Sequence, residues 1–314
     1  MYTECPFVTP PYPAALVEAG RHLLDGVLAD LTLVPHGRFV AEVAMERYPA
    51  YAEEVRAVGG VLGVDPADVM LANLSYDVML VLFGCSTMAL ATPDGPVLAR
   101  NMDWPLSDRL ARASCVTATP HGLNAGFAGA VGVVSGMSRR GFAVVLNAVI
   151  GGGPNPDGFP VLLFLRHLLD NADSFQEAVR LTATTPLAMS ALITIVGTEN
   201  SQRVVVERKP GVAEARWAEG DRPLIVTNHY CRLARPDGCS RFDYMTLHAP
   251  RLPRRPSDDD LIRLLRNENV IQTITAQHVV ARPAANQLRL YVPTELLSAD
   301  RPLDEGMAEM RRLF

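Results

Sequence analysis

Cys85 opens the stretch CSTMALATPDGPVLARNMD (residues 85–103), which closes on Arg100 and Asp103. A cysteine that acts as a nucleophile needs positive charge nearby to favour thiolate, a base to take its proton, and donors for the oxyanion formed on attack. Arg100 can supply the charge. Two short strands joined by the turn TPDG would lay CSTM beside LARN and make Cys85 and Arg100 spatial neighbours. The base is missing from the neighbourhood: no histidine lies near Cys85 in sequence, and nothing marks His229 as a triad member. An amine can replace it. A cut between Gly84 and Cys85 would give Cys85 a free α-amino group, whose pKa of roughly 8 suits proton transfer near neutrality. A glycine before the cut lets the backbone take the tight geometry that thiol attack on the preceding carbonyl requires. The plain alternative is a buried cysteine packing as a small hydrophobe, with Arg100 and Asp103 as a solvated or structural ion pair.

These residues must be positioned by the elements around them. Residues 12–75 are rich in helix formers with apolar positions at helical spacing, and Asp65 and Pro66 take N-cap and N1 roles, which predicts about three helices. Cys85 sits where the apolar, helix-like VMLVLFG hands over to a β-like run. From there the strand signals are CSTMALAT, PVLARNM, AGAVGVVSG and GFAVVLNAVI, punctuated by Gly and Pro. Helices are predicted at FPVLLFLRHLLDN and SFQEAVRLTATT, and strands at ALITIVGT, QRVVVERK and RPLIVTNHY. A charged helix, SDDDLIRLLRNE, precedes a last strand pair, TITAQHVVAR and NQLRLYVP. Helices, strands, helices and strands without strict alternation predict α+β layers and not a doubly wound parallel sheet. No repeat, low-complexity segment or linker divides the chain into independent domains.

Composition narrows the function classes. A chain of 314 residues, 48% hydrophobic and 20% charged, can bury a sizeable core. A net charge of −5 with no basic block argues against nucleic acid as partner. The N-terminus has no basic region followed by a long apolar run, and no later run reaches bilayer length, so a cytoplasmic protein without a transmembrane segment is expected. Five scattered cysteines without CxxC spacing favour neither a disulfide framework nor zinc, and no metal or cofactor is expected. Cys115, Cys231 and Cys239 read as ordinary thiols, a redox pair of the last two being a minor alternative. The loop IGGGPNPDGFP is either a mobile pocket rim or merely a connection.

The hairpin sequence CSTMALATPDGPVLARNMDW resembles the first β-hairpin of the cysteine N-terminal-nucleophile (Ntn) hydrolases, the superfamily of acid ceramidase, N-acylethanolamine acid amidase, bile-salt hydrolase, penicillin V acylase and isopenicillin-N acyltransferase. Upstream, ANLSYD resembles the Asn-x-x-Tyr-acid segment before the cut in the ceramidase and ethanolamide amidase branch. Downstream, GVVSGMSRRGFAVVLN resembles that branch's Gly-rich strand pair ending in Leu-Asn, and IVTNHY its Thr-Asn-Tyr stretch. Arg241 stands thirteen residues beyond Asn228, as in the ceramidase-like group. Ala148 replaces the branch's acidic residue after Leu-Asn, and His229 interrupts Thr-Asn-Tyr, so substrate specificity is expected to differ.

The resemblance implies an αββα four-layer sandwich preceded by a helical segment, with residues 1–84 as pro-segment or α subunit and 85–314 as β subunit. It implies that Cys85 is the nucleophile of self-cleavage and of amide hydrolysis, with its α-amine as general base. Arg100 would keep the thiol region electropositive, and Asp103 would orient the amine. Asn228 would direct its amide NH2 at the oxyanion, assisted by backbone N–H near Asn147, while Arg241 would brace the site or position Asn228. The implied activity is hydrolysis of a linear N-acyl amide through an acyl-thioester on Cys85. Transfer of the acyl group to an amine, or a non-catalytic lipid- or partner-binding relative, remain the alternatives; a papain-like site lacks its usual sequence context.

Overall fold

The structure, a computed structural model, describes residues 1–9, 11–31, 36–78, 84–234 and 238–298. Residues 79–83 of the apolar run before Cys85 lie outside the described residues. Two short strands, β1 (Tyr2–Glu4) and β2 (Phe7–Val8), precede helices α1 (Ala14–Leu31), α2 (Gly37–Arg47), α3 (Pro49–Leu62), α4 (Pro66–Asn73) and the single turn α5 (Ser75–Val78). Asp65 caps α4 by accepting from Ala67 N–H, with Pro66 in the first turn, as the sequence predicts.

Strands β3 (Gly84–Leu90) and β4 (Val97–Asp103) form the expected hairpin, its turn closed by Gly95 at φ 95°. They are followed by α6 (Ser107–Ala113), β5 (Ser114–Thr119), β6 (Gly122–Phe127), β7 (Ser135–Ser138) and β8 (Phe142–Asn147). Next come α7 (Val161–Asn171), α8 (Phe175–Thr184), β9 (Ala191–Val196), β10 (Arg203–Lys209), β11 (Val212–Trp217) and β12 (Leu224–Val226). The last are α9 (Ser240–His248), α10 (Asp258–Leu265), β13 (Thr275–Arg282) and β14 (Gln287–Pro293). One sheet runs β1-β14-β13-β4-β3-β12 and the other β11-β10-β9-β8-β7-β6-β5-β2, antiparallel throughout except for β2 against β5.

Period-2 alternation sorts the strand residues into layers. Ala89 and Leu98 of the first sheet meet Val145, Leu192 and Val205 of the second between the sheets. On its outer face the first sheet packs Met88, Val97 and Ala99 against Met245 of α9 and Leu261, Ile262 and Leu265 of α10. The second sheet turns Phe142, Val144 and Leu146 outward onto Leu165, Leu168 and Leu169 of α7. The result is the αββα sandwich. Helices α1 to α4 form a further apolar cluster at one end, against Met102, Trp104 and Leu110.

One expected strand is corrected. In AGAVGVVSG only Ser135 and Gly136 enter a strand, because residues 128–134 form a loop held from outside: Asn73 Oδ1 accepts from the N–H groups of Val131 and Gly132, and Gly129 has φ 103°.

Candidate active site

Cys85 lies at the head of β3, opposite Met102 in register, so its side chain and that of Arg100 share the face between the sheets. Arg100 Nη2 donates to Cys85 Sγ at 2.7 Å. The guanidinium is itself fixed, Nη1 donating to Ser135 Oγ at 2.8 Å and to Val134 O at 3.2 Å. Both Cys85 and Arg100 are buried. Burial pushes the Cys85 thiol above its ordinary pKa, and Asp103 adds to the rise; Arg100, a hydrogen bond from Ala148 N–H, and Arg241 oppose it. Desolvation outweighs the pull of Arg100.

The opposite face carries a second group. The Cys85 N–H donates to Asn228 Oδ1 at 3.1 Å, and Arg241 Nη2, from α9, donates to the same oxygen at 2.7 Å. Arg241 Nη1 donates to Cys85 O at 3.0 Å and Ser86 Oγ at 3.1 Å, and lies 3.5 Å from Asp103 Oδ2. Asp103 pairs with Gly84 in register, which puts its carboxyl against the Gly84–Cys85 peptide; a Cβ on Gly84 would sit 3.0 Å from Oδ2. Burial raises the Asp103 pKa, against the pull of Thr275, Arg241 and Arg100. Five of the six expected residues, Cys85, Arg100, Asp103, Asn228 and Arg241, are thus one connected cluster.

Asn147 stands apart from the thiol. Its side chain is taken up behind it, accepting from Thr87 Oγ1 at 2.7 Å and donating to Val226 O at 3.2 Å. What reaches Cys85 is the next backbone N–H, that of Ala148. The amide NH2 of Asn228 donates to Ala148 O at 2.8 Å, so it is occupied by backbone. His229 meets Thr227 Oγ1 at 3.0 Å and packs edge to face on Phe242.

Beside the thiol lies a small apolar cavity lined by Cys85, Met102, Trp104, Phe127, Leu146 and Leu162 among others. Ala72, Asn73, Ser75 and Tyr76 complete its wall from the N-terminal helical segment. That segment is hydrogen-bonded to the rest of the chain. Tyr76 OH donates to Ser190 O at 2.8 Å, and Asp77 accepts from Val161 N–H at the start of α7. Among the described residues no cluster of His, Cys, Asp or Glu could hold a metal ion, and no helix is long and apolar enough to cross a membrane.

The residues that sequence reasoning missed are the hydroxyls Thr87, Ser135 and Thr275, which hold Asn147, Arg100 and Asp103. Strand alternation could have placed Thr87, two residues beyond Cys85, on the thiol's face; the other two come from distant strands.

The model of the family "acyl-coenzyme A:6-aminopenicillanic acid acyl-transferase" matches residues 90–287, more than half of the chain, starting just beyond Cys85. The N-acylethanolamine-hydrolyzing acid amidase of Mus musculus is 24% identical over 204 residues, which cover 58% of this chain and 53% of that protein. The chain thus spans about half the length of this curated relative. A Caenorhabditis elegans N-acylethanolamine-hydrolyzing acid amidase ortholog superimposes with a TM-score of 0.54 at 20% identity, over 64% of this chain and 93% of that one. A mutant conjugated bile acid hydrolase of Clostridium perfringens covers 70% of this chain and 94% of its own at 14% identity, with a TM-score of 0.44. With more than half its length matched, the chain belongs to the acyl-coenzyme A:6-aminopenicillanic acid acyl-transferase family, and its αββα sandwich is the Ntn-hydrolase fold.

Proposed function

We propose that this chain is a self-processing cysteine amidase that hydrolyses a linear N-acyl amide through an acyl-thioester on Cys85. The observation that carries the reading is the pairing of Arg100 Nη2 with Cys85 Sγ at 2.7 Å at the head of β3, while the nitrogen of the same residue points at Asn228. In maturation the Cys85 thiol attacks the Gly84 carbonyl, the Gly84–Cys85 C–N bond breaks and the thiol proton passes to the departing nitrogen. The nitrogen leaves as the Cys85 α-amine, and water then hydrolyses the Gly84 thioester. The same thiol next attacks the substrate carbonyl, its proton passing to the α-amine and onward to the leaving amine. Asn228, freed from Ala148 O when the chain end relaxes, and the Ala148 N–H would stabilise the oxyanion. Arg241 would hold Asn228 in place, and Asn147 would fix the strand end that carries Ala148.

The acyl group is apolar in this reading, because the cavity at Cys85 is walled by Met102, Trp104, Phe127, Leu146 and Leu162. Residues 1–84 would remain as a bound fragment, since Asn73, Tyr76 and Asp77 each bond across the cut to the 85–314 part. Transfer to an amine acceptor is the second reading, favoured by the name of the matching family; water and acceptor would compete for one thioester. Intact mass spectrometry and a panel of acyl amides, followed by released amine, test the proposal together. It predicts fragments of 84 and 230 residues (314 − 84) and release of amine from apolar acyl amides. An active preparation that stays a single 314-residue chain would remove the amine base and the mechanism with it.

A further inference from the structure

The two oxygens of the buried Asp103 carboxyl are treated differently. Oδ1 accepts from Thr275 Oγ1 at 2.6 Å. That hydroxyl already accepts the N–H of Gln272 at 3.0 Å, so its single proton is committed to Asp103. Oδ2 is buried and has no hydrogen bond; Arg241 Nη1 lies 3.5 Å from it, leaving room beside the guanidinium, and a Cβ on Gly84 would stand 3.0 Å from it. Thr275 reaches this position through an irregularity in β13. The register runs Thr275 to Asp103 and then Gln277 to Met102, so one extra residue, Ala276, is bulged out. Without the bulge, Ala276 would oppose Asp103 and no hydroxyl would be there.

From this we infer that Thr275 is a positioning residue: it occupies Oδ1 and thereby reserves Oδ2, in a fixed orientation, for the Cys85 α-amine that cleavage creates. The inference rests on the proposal that this amine is the base, and it adds a residue that none of the sequence motifs contains. A carboxyl free to rotate would present either oxygen and leave the amine without a fixed partner; the locked rotamer gives the new ammonium one acceptor at one place. The groups acting electrostatically on Asp103 are Arg241 from α9, Arg100 from β4 and the Cys85 thiol from β3. Thr275 is the neutral member of this set, and it opposes the upward push of burial on the carboxyl.

The test compares Thr275→Val, which keeps the shape and loses the donor, with Thr275→Ser, which keeps the donor. In cut protein labelled with [15N]cysteine, the α-amine of Cys85 should titrate at lower pH in Thr275→Val than in wild type. Its turnover should fall on the order of ten- to a hundredfold, the scale of one hydrogen bond to a charged group. Thr275→Ser should restore both. Wild-type titration and turnover in Thr275→Val, or equal damage in both variants, would overturn the inference. Should Thr275→Val stay uncut, the Asp103 carboxyl can be followed by 13C NMR in a Cys85→Ala background, where no cut is needed. There Thr275→Val should raise the pH at which it titrates and Thr275→Ser should not; an unmoved Asp103 rejects the assignment. Both titrations are read without substrate, so a shifted Asp103 in a protein that hydrolyses no amide would leave Thr275 in its role while the proposed activity falls.

Discussion

Arg241 Nη2 donates to Asn228 Oδ1 at 2.7 Å, on the oxygen that also accepts the Cys85 N–H. One guanidinium from α9 therefore fixes the amide that accepts the Cys85 N–H and, through Nη1, the carbonyl of Cys85 itself. With its oxygen held twice, only the Asn228 NH2, which now donates to Ala148 O, would serve a substrate carbonyl in the proposed mechanism.

Asn228→Ala should for that reason lower kcat and leave KM nearly unchanged, because the donor is worth more to the anionic intermediate than to the ground-state carbonyl. The expected loss is on the order of 10²–10³-fold. Steady-state kinetics on chains confirmed as cut measure it. A raised KM with kcat intact would assign Asn228 to uniform substrate binding.

Arg100→Ala should raise the apparent pKa of the Cys85 thiol, since burial already pushes it up and Arg100 opposes the push. Alkylation of Cys85 by iodoacetamide should then slow at mildly acidic pH. An unchanged pH dependence in a folded, cut variant would leave Arg100 a structural role through Ser135 and Val134.

Gly84→Val places a Cβ 3.0 Å from Oδ2 and 3.1 Å from Cβ of the buried Asp103, tighter than ordinary contact. Cleavage should slow markedly. After the proposed cut, residue 84 would belong to the other fragment, so turnover per cut chain should match wild type. Parallel timing of cleavage by mass spectrometry and of turnover separates the two, and turnover that fell along with cleavage would contradict the assignment.

His278 is buried beside Asn101, and desolvation lowers its pKa to about 3. The unfolded chain takes up that proton near the ordinary histidine value and the folded chain does not. Stability from this group is therefore complete above about pH 6.5 and is lost as pH falls toward about 3. Asp77 works in the opposite sense: burial lifts its carboxyl to about 7, so its contribution declines as pH rises from about 4 toward 7. Urea unfolding of wild type and His278→Gln at pH 7 and pH 5 isolates the histidine, since Asp77 is common to both. The gap between the two proteins should narrow at pH 5, and a constant gap would refute the linkage.

The parts of this architecture that were legible in the sequence are those governed by local rules. The β3–β4 hairpin follows from a Pro-Asp-Gly turn between apolar runs, and α7 and α8 from helical spacing. The approach of Arg100 to Cys85 follows from the hairpin's alternation. What was not legible depends on distant partners. Strands β5 and β6, SCVTAT and GLNAGF, carry few large apolar residues and are strands because the sheet continues through them. Helix α9, SRFDYMTLH, buries only Met245 and so has no apolar stripe to read. The loop at 128–134 looked like a strand until Asn73, from another helix, took its N–H groups. Thr275 faces Asp103 through a one-residue bulge, and nothing in TITAQHVVAR announces which residue is extruded.

The bonds from Asn73, Tyr76 and Asp77 to the body of the sandwich are made while residues 1–84 and 85–314 are still one chain. A cut at Gly84–Cys85 would leave them in place but change what they connect: folding that had been unimolecular becomes a bimolecular assembly, with the entropy of association to overcome and a dependence on concentration. A matured molecule that unfolds would then have to find its other half again. Its working lifetime would be governed by the rate of opening and not by an equilibrium it can revisit.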